Sequence, residues 1–176
     1  MMELNDKSAA MLSVARVLVV DDEYFSRKVI RTLLLAVGVN DVHDATDGLR
    51  GLEAIASVRP DVVLLDWEMP GMDGAEFVRR VRSPETFSHP DVPIIMLTAH
   101  AERSRVIEAV RLGVHEYLAK PVSSQALRSR LASVLMNPRP IVRVGDYYGP
   151  EPRKLVRGAE PPPQVGPRDS SIIFLA

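Results

Sequence analysis

The sequence contains no cysteine, so disulfides, thiol catalysis and cysteine-ligated metal are all excluded. No apolar stretch reaches the ~18–20 residues that a membrane-spanning helix needs. Residues 1–15 carry Glu3 and Asp6 and lack a continuous apolar core, so no signal peptide is expected. Glycine-rich P-loop and dinucleotide motifs are missing too. The four histidines (His43, His89, His100 and His115) do not have the i,i+4 spacing of a helical zinc site. Charge of one sign is also lacking. With 22 basic and 23 acidic residues the net charge is -1, which gives no general electrostatic reason to bind nucleic acid or an anionic membrane. What is present is a soluble globular composition, 46% hydrophobic and 26% charged, in a chain of 176 residues. That length holds one domain of ordinary size plus appendages, and a cytoplasmic location is expected.

Between residues 16 and 136, short apolar runs alternate five times with helix-length amphipathic segments. Strands are expected at Val17–Val20, Asp41–Ala45, Val62–Leu65, Pro93–Leu97 and Glu116–Ala119. The first helical pattern puts Phe25, Val29, Ile30, Leu33, Leu34 and Val37 on one side, with Gly38 where a C-terminal cap belongs. The second begins near Asp47, buries Leu49, Leu52 and Ile55, and stops before Pro60. The third opens on Asp73, an acidic N-cap with Glu76 three residues on. The fourth uses Val106, Ile107 and Val110 and ends at Gly113. The fifth follows Pro121, with Ser123 or Ser124 as cap, and buries Leu127, Leu131, Val134 and Leu135. Five such units imply an α/β fold: a doubly wound, five-stranded parallel sheet with helices on both faces, flavodoxin-like. Ligands of such sheets bind outside the carboxyl ends of the strands.

Four of those five ends carry chemistry. The first strand ends in Asp21-Asp22, the third in Asp66, the fourth in Thr98 and the fifth in Lys120-Pro121. In a parallel sheet all of them share one edge. Three carboxylates crowded there repel one another by ~1 kcal/mol per pair at 4 Å in water, and by more near a protein surface. A hard divalent cation removes that repulsion. Mg²⁺ fits because it takes a few carboxylates and keeps waters that phosphate oxygens can replace. Lys120 adds a positive charge and Thr98 a hydroxyl donor, so that Asp66 can serve as a carboxylate nucleophile toward a phosphoryl group.

Four segments carrying these residues resemble the receiver domain of two-component response regulators, of the stand-alone single-domain type. They are Val17-Leu-Val-Val-Asp21-Asp22-Glu23, Leu64-Leu-Asp66-Trp-Glu-Met-Pro70-Gly-Met-Asp-Gly74, Ile94-Ile-Met-Leu-Thr98-Ala99 and Tyr117-Leu-Ala-Lys120-Pro121. The resemblance covers about residues 16–136. It implies that Asp66 is the phosphoacceptor and that Asp21 and Asp22 help to hold Mg²⁺, with the backbone carbonyl of Glu68 completing the metal shell. It also implies that Thr98 and Lys120 read the phosphoryl group, that the Lys120–Pro121 bond is cis, and that Tyr117 is an aromatic switch turning inward as Thr98 moves. The switched surface is that of the fourth helix, fifth strand and fifth helix, carried by Arg103, Val106, Ile107, Arg111 and Tyr117. Glu68 and His100, two residues after Asp66 and Thr98, lie where the family tunes the lifetime of the aspartyl phosphate, in a direction that the sequence does not set. The implied phosphodonor is a histidine kinase or a histidine phosphotransferase.

After Asn137 the composition changes, and eight of the 14 prolines fall in residues 138–176. The expected organisation is an N-terminal extension (1–15), a receiver domain (16–136) and a proline-rich C-terminal tail or arm (137–176) with no output domain. The tail reads as largely extended. Its β-formers and aromatics at 141–150 and its apolar end, Ile172–Ala176, leave two readings: an arm packed across a second protomer, or a loosely attached tail. The surface of the fourth helix, fifth strand and fifth helix is a second route to a homodimer. The functional expectation is a phosphorylation-dependent protein-interaction switch, with a phosphate shuttle or sink as the alternative. No enzyme beyond self-phosphorylation and self-dephosphorylation is expected, since Asp66-Trp67-Glu68 lacks the second aspartate of an aspartyl-phosphate hydrolase.

Overall fold

The valine- and leucine-rich runs form strands buried on both faces, as parallel strands covered by helices must be. A computed structural model describes residues 2–100 and 102–153, with side chains from Lys7 onward. The strands are β1 (Arg16–Val20), β2 (Asp41–Ala45), β3 (Val62–Asp66), β4 (Ile94–Thr98) and β5 (Glu116–Ala119). They pair in parallel in the order β2-β1-β3-β4-β5. This is the doubly wound sheet expected from the alternation, with the winding reversing between β1 and β3.

The two-residue period of a strand sends alternate side chains to opposite faces. Leu18, Val20, Val63, Leu65, Ile94 and Met96 meet one core, shared with α3 (Gly48–Val58), α4 (Gly74–Val81) and α5 (Arg103–Leu112). Val17, Val19, Val62, Leu64, Ile95 and Leu97 meet the other, shared with α1 (Met2–Val14), α2 (Tyr24–Ala36) and α6 (Ser124–Met136). The caps follow local chemistry. The carboxylates of Asp47 and Asp73 and the hydroxyl of Ser123 accept from backbone N–H groups three residues on.

Three expectations need correction. Phe25 and Val29 are exposed, and α2 buries Ile30 and Leu34 instead. Successive helical residues lie about 100° apart, so a stripe centred on Ile30 and Leu34 turns Val29 and Phe25 out of the interface. Leu49 is exposed for the same reason, lying far around α3 from the buried Ile55. The N-terminal extension, for which the sequence predicts no element, carries α1 over residues 2–14, which inserts Leu12 into the core beside α2 and α6. The Asn40 side-chain amide donates to the Ser13 carbonyl (3.2 Å) and ties down the end of that helix.

The third correction concerns the tail. Residues 141–150 form an antiparallel hairpin, β6 (Ile141–Val144) with β7 (Tyr147–Pro150). Gly145, at φ +58°, takes the first central position of the two-residue turn, as a hairpin of this twist requires. The hairpin lies on its own receiver domain. Arg139 donates to the His115 carbonyl (2.5 Å), Arg143 pairs with Glu85 (2.7 Å), and the Tyr148 hydroxyl donates to Asp91. Gly113 and Gly149 meet backbone to backbone: a Cβ on Gly113 would stand 2.6 Å from the Tyr148 carbonyl oxygen. Just past the hairpin, Arg153 pairs with the buried Glu116 on β5. The described part of the arm therefore packs on its own chain. The Ile172–Ala176 segment lies outside the described residues.

Candidate functional site

The register puts the functional strand ends side by side. Val20 pairs with Leu65, so Asp21 follows β1 next to the point where Asp66 closes β3, and Asp66 pairs with Leu97 just before Thr98. Asp21, Asp22 and Asp66 each offer a carboxylate oxygen within 4.8 Å of the others, the kind of set that suits a hard cation. Asp21 and Asp66 are buried and Asp22 is exposed, so the cluster opens to solvent on the Asp22 side.

Lys120 holds the centre of this cluster. Its ammonium donates to Asp66 Oδ1 (2.8 Å) and to Asp21 Oδ2 (3.0 Å). The Lys120–Pro121 peptide bond is cis, as expected. Burial raises the Asp66 carboxyl above its ordinary pKa, while Lys120 pulls it the other way. For Lys120, burial works against the charged form, but the hydrogen bonds to Asp66 and Asp21 outweigh it and hold the ammonium's pKa above its usual value. A carboxylate held by an ammonium inside a protein wall is a nucleophile kept charged at low solvent exposure.

Thr98 is buried at the end of β4, where its hydroxyl accepts from the His100 N–H (3.0 Å). Tyr117 lies inward, 7% exposed, and its hydroxyl donates to the His100 carbonyl. Burial raises the pKa of this phenol, which keeps it a donor. Both side chains thus meet on the backbone of one residue, His100, in the loop between β4 and α5. His100 Nε2 also faces Glu68 Oε1 at 3.1 Å, bringing the two lifetime-tuning candidates into an exposed pair beside Asp66. Of the residues expected on the switch surface, Arg103 and Arg111 are exposed and Ile107 is half-buried. Val106 is not on the surface, because it packs into the core under α5.

Two members of the site are not evident in the sequence. Ser26, on the first turn of α2, donates to Asp21 Oδ2 (2.5 Å) and stands 3.1 Å from Lys120 Nζ. A serine five residues past an Asp pair reads as an ordinary helix residue unless the orientation of α2 is known. Arg105 stacks its guanidinium 5.1 Å from the ring centre of Trp67, tying α5 to the residue after Asp66. That pairing joins separate elements and leaves no local signal.

Comparisons with known proteins agree with this fold. The family model "Response regulator receiver domain" matches residues 17–132, and the chain belongs to that family. Chemotaxis protein CheY-3 of Vibrio cholerae is 35% identical over 119 residues, 68% of this chain and 90% of its own length. The crystal structure of CheY4 from the same species is 34% identical, with a TM-score of 0.62 over 69% of this chain and 98% of that one. A chain of the CheX-CheY-BeF3-Mg²⁺ complex from Borrelia burgdorferi is 25% identical, with a TM-score of 0.62 over 68% of this chain and 88% of that one.

Proposed function

We propose that the chain is a phosphorelay switch whose Asp66 accepts a phosphoryl group from a phosphohistidine on a sensor kinase or a phosphotransferase. The observation that carries this reading is Lys120 bridging Asp66 and Asp21 inside a three-carboxylate cluster at the carboxyl edge of the sheet. An Asp66 oxygen attacks phosphorus, the phosphorus–nitrogen bond breaks, and the imidazole leaves with the electron pair. Asp21, Asp22, Asp66 and the Glu68 carbonyl would hold Mg²⁺, which when bound offsets the charge of the transferred group. Lys120 then partners the new phosphoryl oxygens from its place beside Asp66, and the Thr98 hydroxyl donates to them.

Phosphorylation adds close to two negative charges at this edge. Drawing the Thr98 hydroxyl toward them releases its bond to the His100 N–H and frees the residue whose carbonyl Tyr117 holds. The change passes to the surface of α5, β5 and α6, the partner-facing surface in this reading. The chain acts in the cytoplasm and catalyses no reaction but its own phosphorylation and dephosphorylation. A homodimer through α5, β5 and α6 belongs to the same reading. Adding Mg²⁺ and beryllofluoride should change amide exchange in α5 and β5 and alter the particle size, with no such change in Asp66→Asn. An unchanged wild-type profile, or a response that survives in Asp66→Asn, would overturn the assignment.

A further inference from the structure

A lysine ammonium has three N–H donors, and in this fold all three have an acceptor. Two are carboxylates, Asp66 Oδ1 (2.8 Å) and Asp21 Oδ2 (3.0 Å); the third is the hydroxyl of Ser26 (3.1 Å). Ser26 in turn gives its own proton to Asp21 Oδ2 (2.5 Å), so Lys120, Ser26 and Asp21 close a triangle of directed bonds. The other oxygen of Asp21 is also engaged, accepting from the Glu23 N–H at 2.8 Å. Asp21 is buried and cannot recover lost partners from bulk water.

A divalent cation arriving at Asp21, Asp22 and Asp66 repels the ammonium from Asp21. Lys120 can leave without stranding a donor, because it keeps Asp66 and the phosphoryl oxygens that follow. Asp21 exchanges the ammonium for the cation, so its orientation then depends on its remaining hydrogen bonds. With Lys120 gone, the Ser26 hydroxyl is the remaining side-chain donor to Oδ2, and together with the Glu23 N–H on Oδ1 it fixes the plane of the carboxylate. We propose that Ser26 is a positioning residue for the metal: it orients Asp21 for Mg²⁺ and guides Lys120 between its metal-free and phosphoryl-bound positions. The inference rests on the receiver reading of the site.

Removing an orienting partner behind a metal ligand weakens metal binding by about 10- to 100-fold. Trp67 is the chain's single tryptophan and follows Asp66 directly, so its fluorescence can report Mg²⁺ binding without any phosphodonor. Mg²⁺ titrations of wild type, Ser26→Ala, Ser26→Thr and Asp66→Asn, with parallel calorimetry, separate the possibilities. Ser26→Ala should bind Mg²⁺ about tenfold more weakly, and Ser26→Thr, which restores the hydroxyl, should recover most of that loss. At saturating Mg²⁺ the phosphorylation rate of Ser26→Ala should return toward wild type, a split that a general loss of stability would not produce. Wild-type Mg²⁺ affinity in a folded Ser26→Ala would overturn the role of Ser26. If the wild type binds no Mg²⁺, or Asp66→Asn binds as tightly as wild type, the receiver reading fails and takes this inference with it.

Discussion

Glu68 and His100 meet at 3.1 Å with their side chains about half exposed, a geometry that adds little to stability. Their interest lies in what they cover. If the pair, two residues past Asp66 and Thr98, shields a phosphoryl group on Asp66 from water, its loss should speed hydrolysis. Replacing both with alanine should shorten the aspartyl-phosphate lifetime severalfold and leave the unfolding midpoint nearly unchanged. An unchanged rate of phosphate loss, followed by mass spectrometry, would remove both residues from that role. Sequence order alone placed Glu68 and His100 near the site through their offsets from Asp66 and Thr98. Their contact with each other needed the loop between β4 and α5, which no local pattern describes. The same holds for Ser26. Asp21, Asp66, Thr98 and Lys120 were legible because each ends a strand, and a parallel sheet carries its strand ends to one edge.

Strands buried on both faces admit few alternatives, so β1, β3 and β4 could be read from runs of valine, leucine and isoleucine. Helix faces were less legible, as Phe25, Val29 and Leu49 show. Which 100° stripe turns inward depends on how the helix sits on the sheet, and that is a tertiary choice. The hairpin is a further case. Two four-residue strands are marginal alone, and β6 and β7 exist here because α5 and β5 offer a landing surface at Gly113, His115 and Glu116. Gly149 is the point of closest approach, since a Cβ there would lie 2.7 Å from the Gly113 Cα. Gly149→Ala should therefore lift the hairpin, cost about 1–3 kcal/mol and raise amide exchange across 141–150. Phosphorylation at Asp66 should persist, because the site lies at the opposite edge of the sheet. Unchanged protection of 141–150 would show that the hairpin is held in some other way.

Across the whole molecule, the arm and the receiver join at a buried basic corner. Arg82 is buried and donates to the carbonyls of Gly113 (2.9 Å), Val92 (2.9 Å) and Pro90. His115 Nδ1 faces both the Arg82 guanidinium and the Ile94 N–H, each at 3.4 Å, so it acts as an acceptor and the ring is neutral. Burial, reinforced by Arg82 and Arg139, lowers the His115 pKa from 6.5 to about 3. The unfolded chain protonates this histidine below 6.5, whereas the folded chain resists until about 3. Stability should thus fall as pH drops through that window, by at most about 1.4 kcal/mol per pH unit from this group. His115→Gln, which cannot titrate, should unfold less steeply with acid, and an identical acid limb would contradict this assignment. At the same scale the two ends of the sheet differ: the amino edge anchors the arm, and the carboxyl edge, in the proposed reading, carries the chemistry. The most direct test of the latter is borohydride reduction after exposure to a small phosphodonor and Mg²⁺, followed by peptide mapping. An acyl phosphate is reduced to an alcohol, which marks its position in the chain. The mark is expected at Asp66 alone; finding it at Asp21 or Asp22, or finding none, would contradict the assignment of Asp66 as phosphoacceptor.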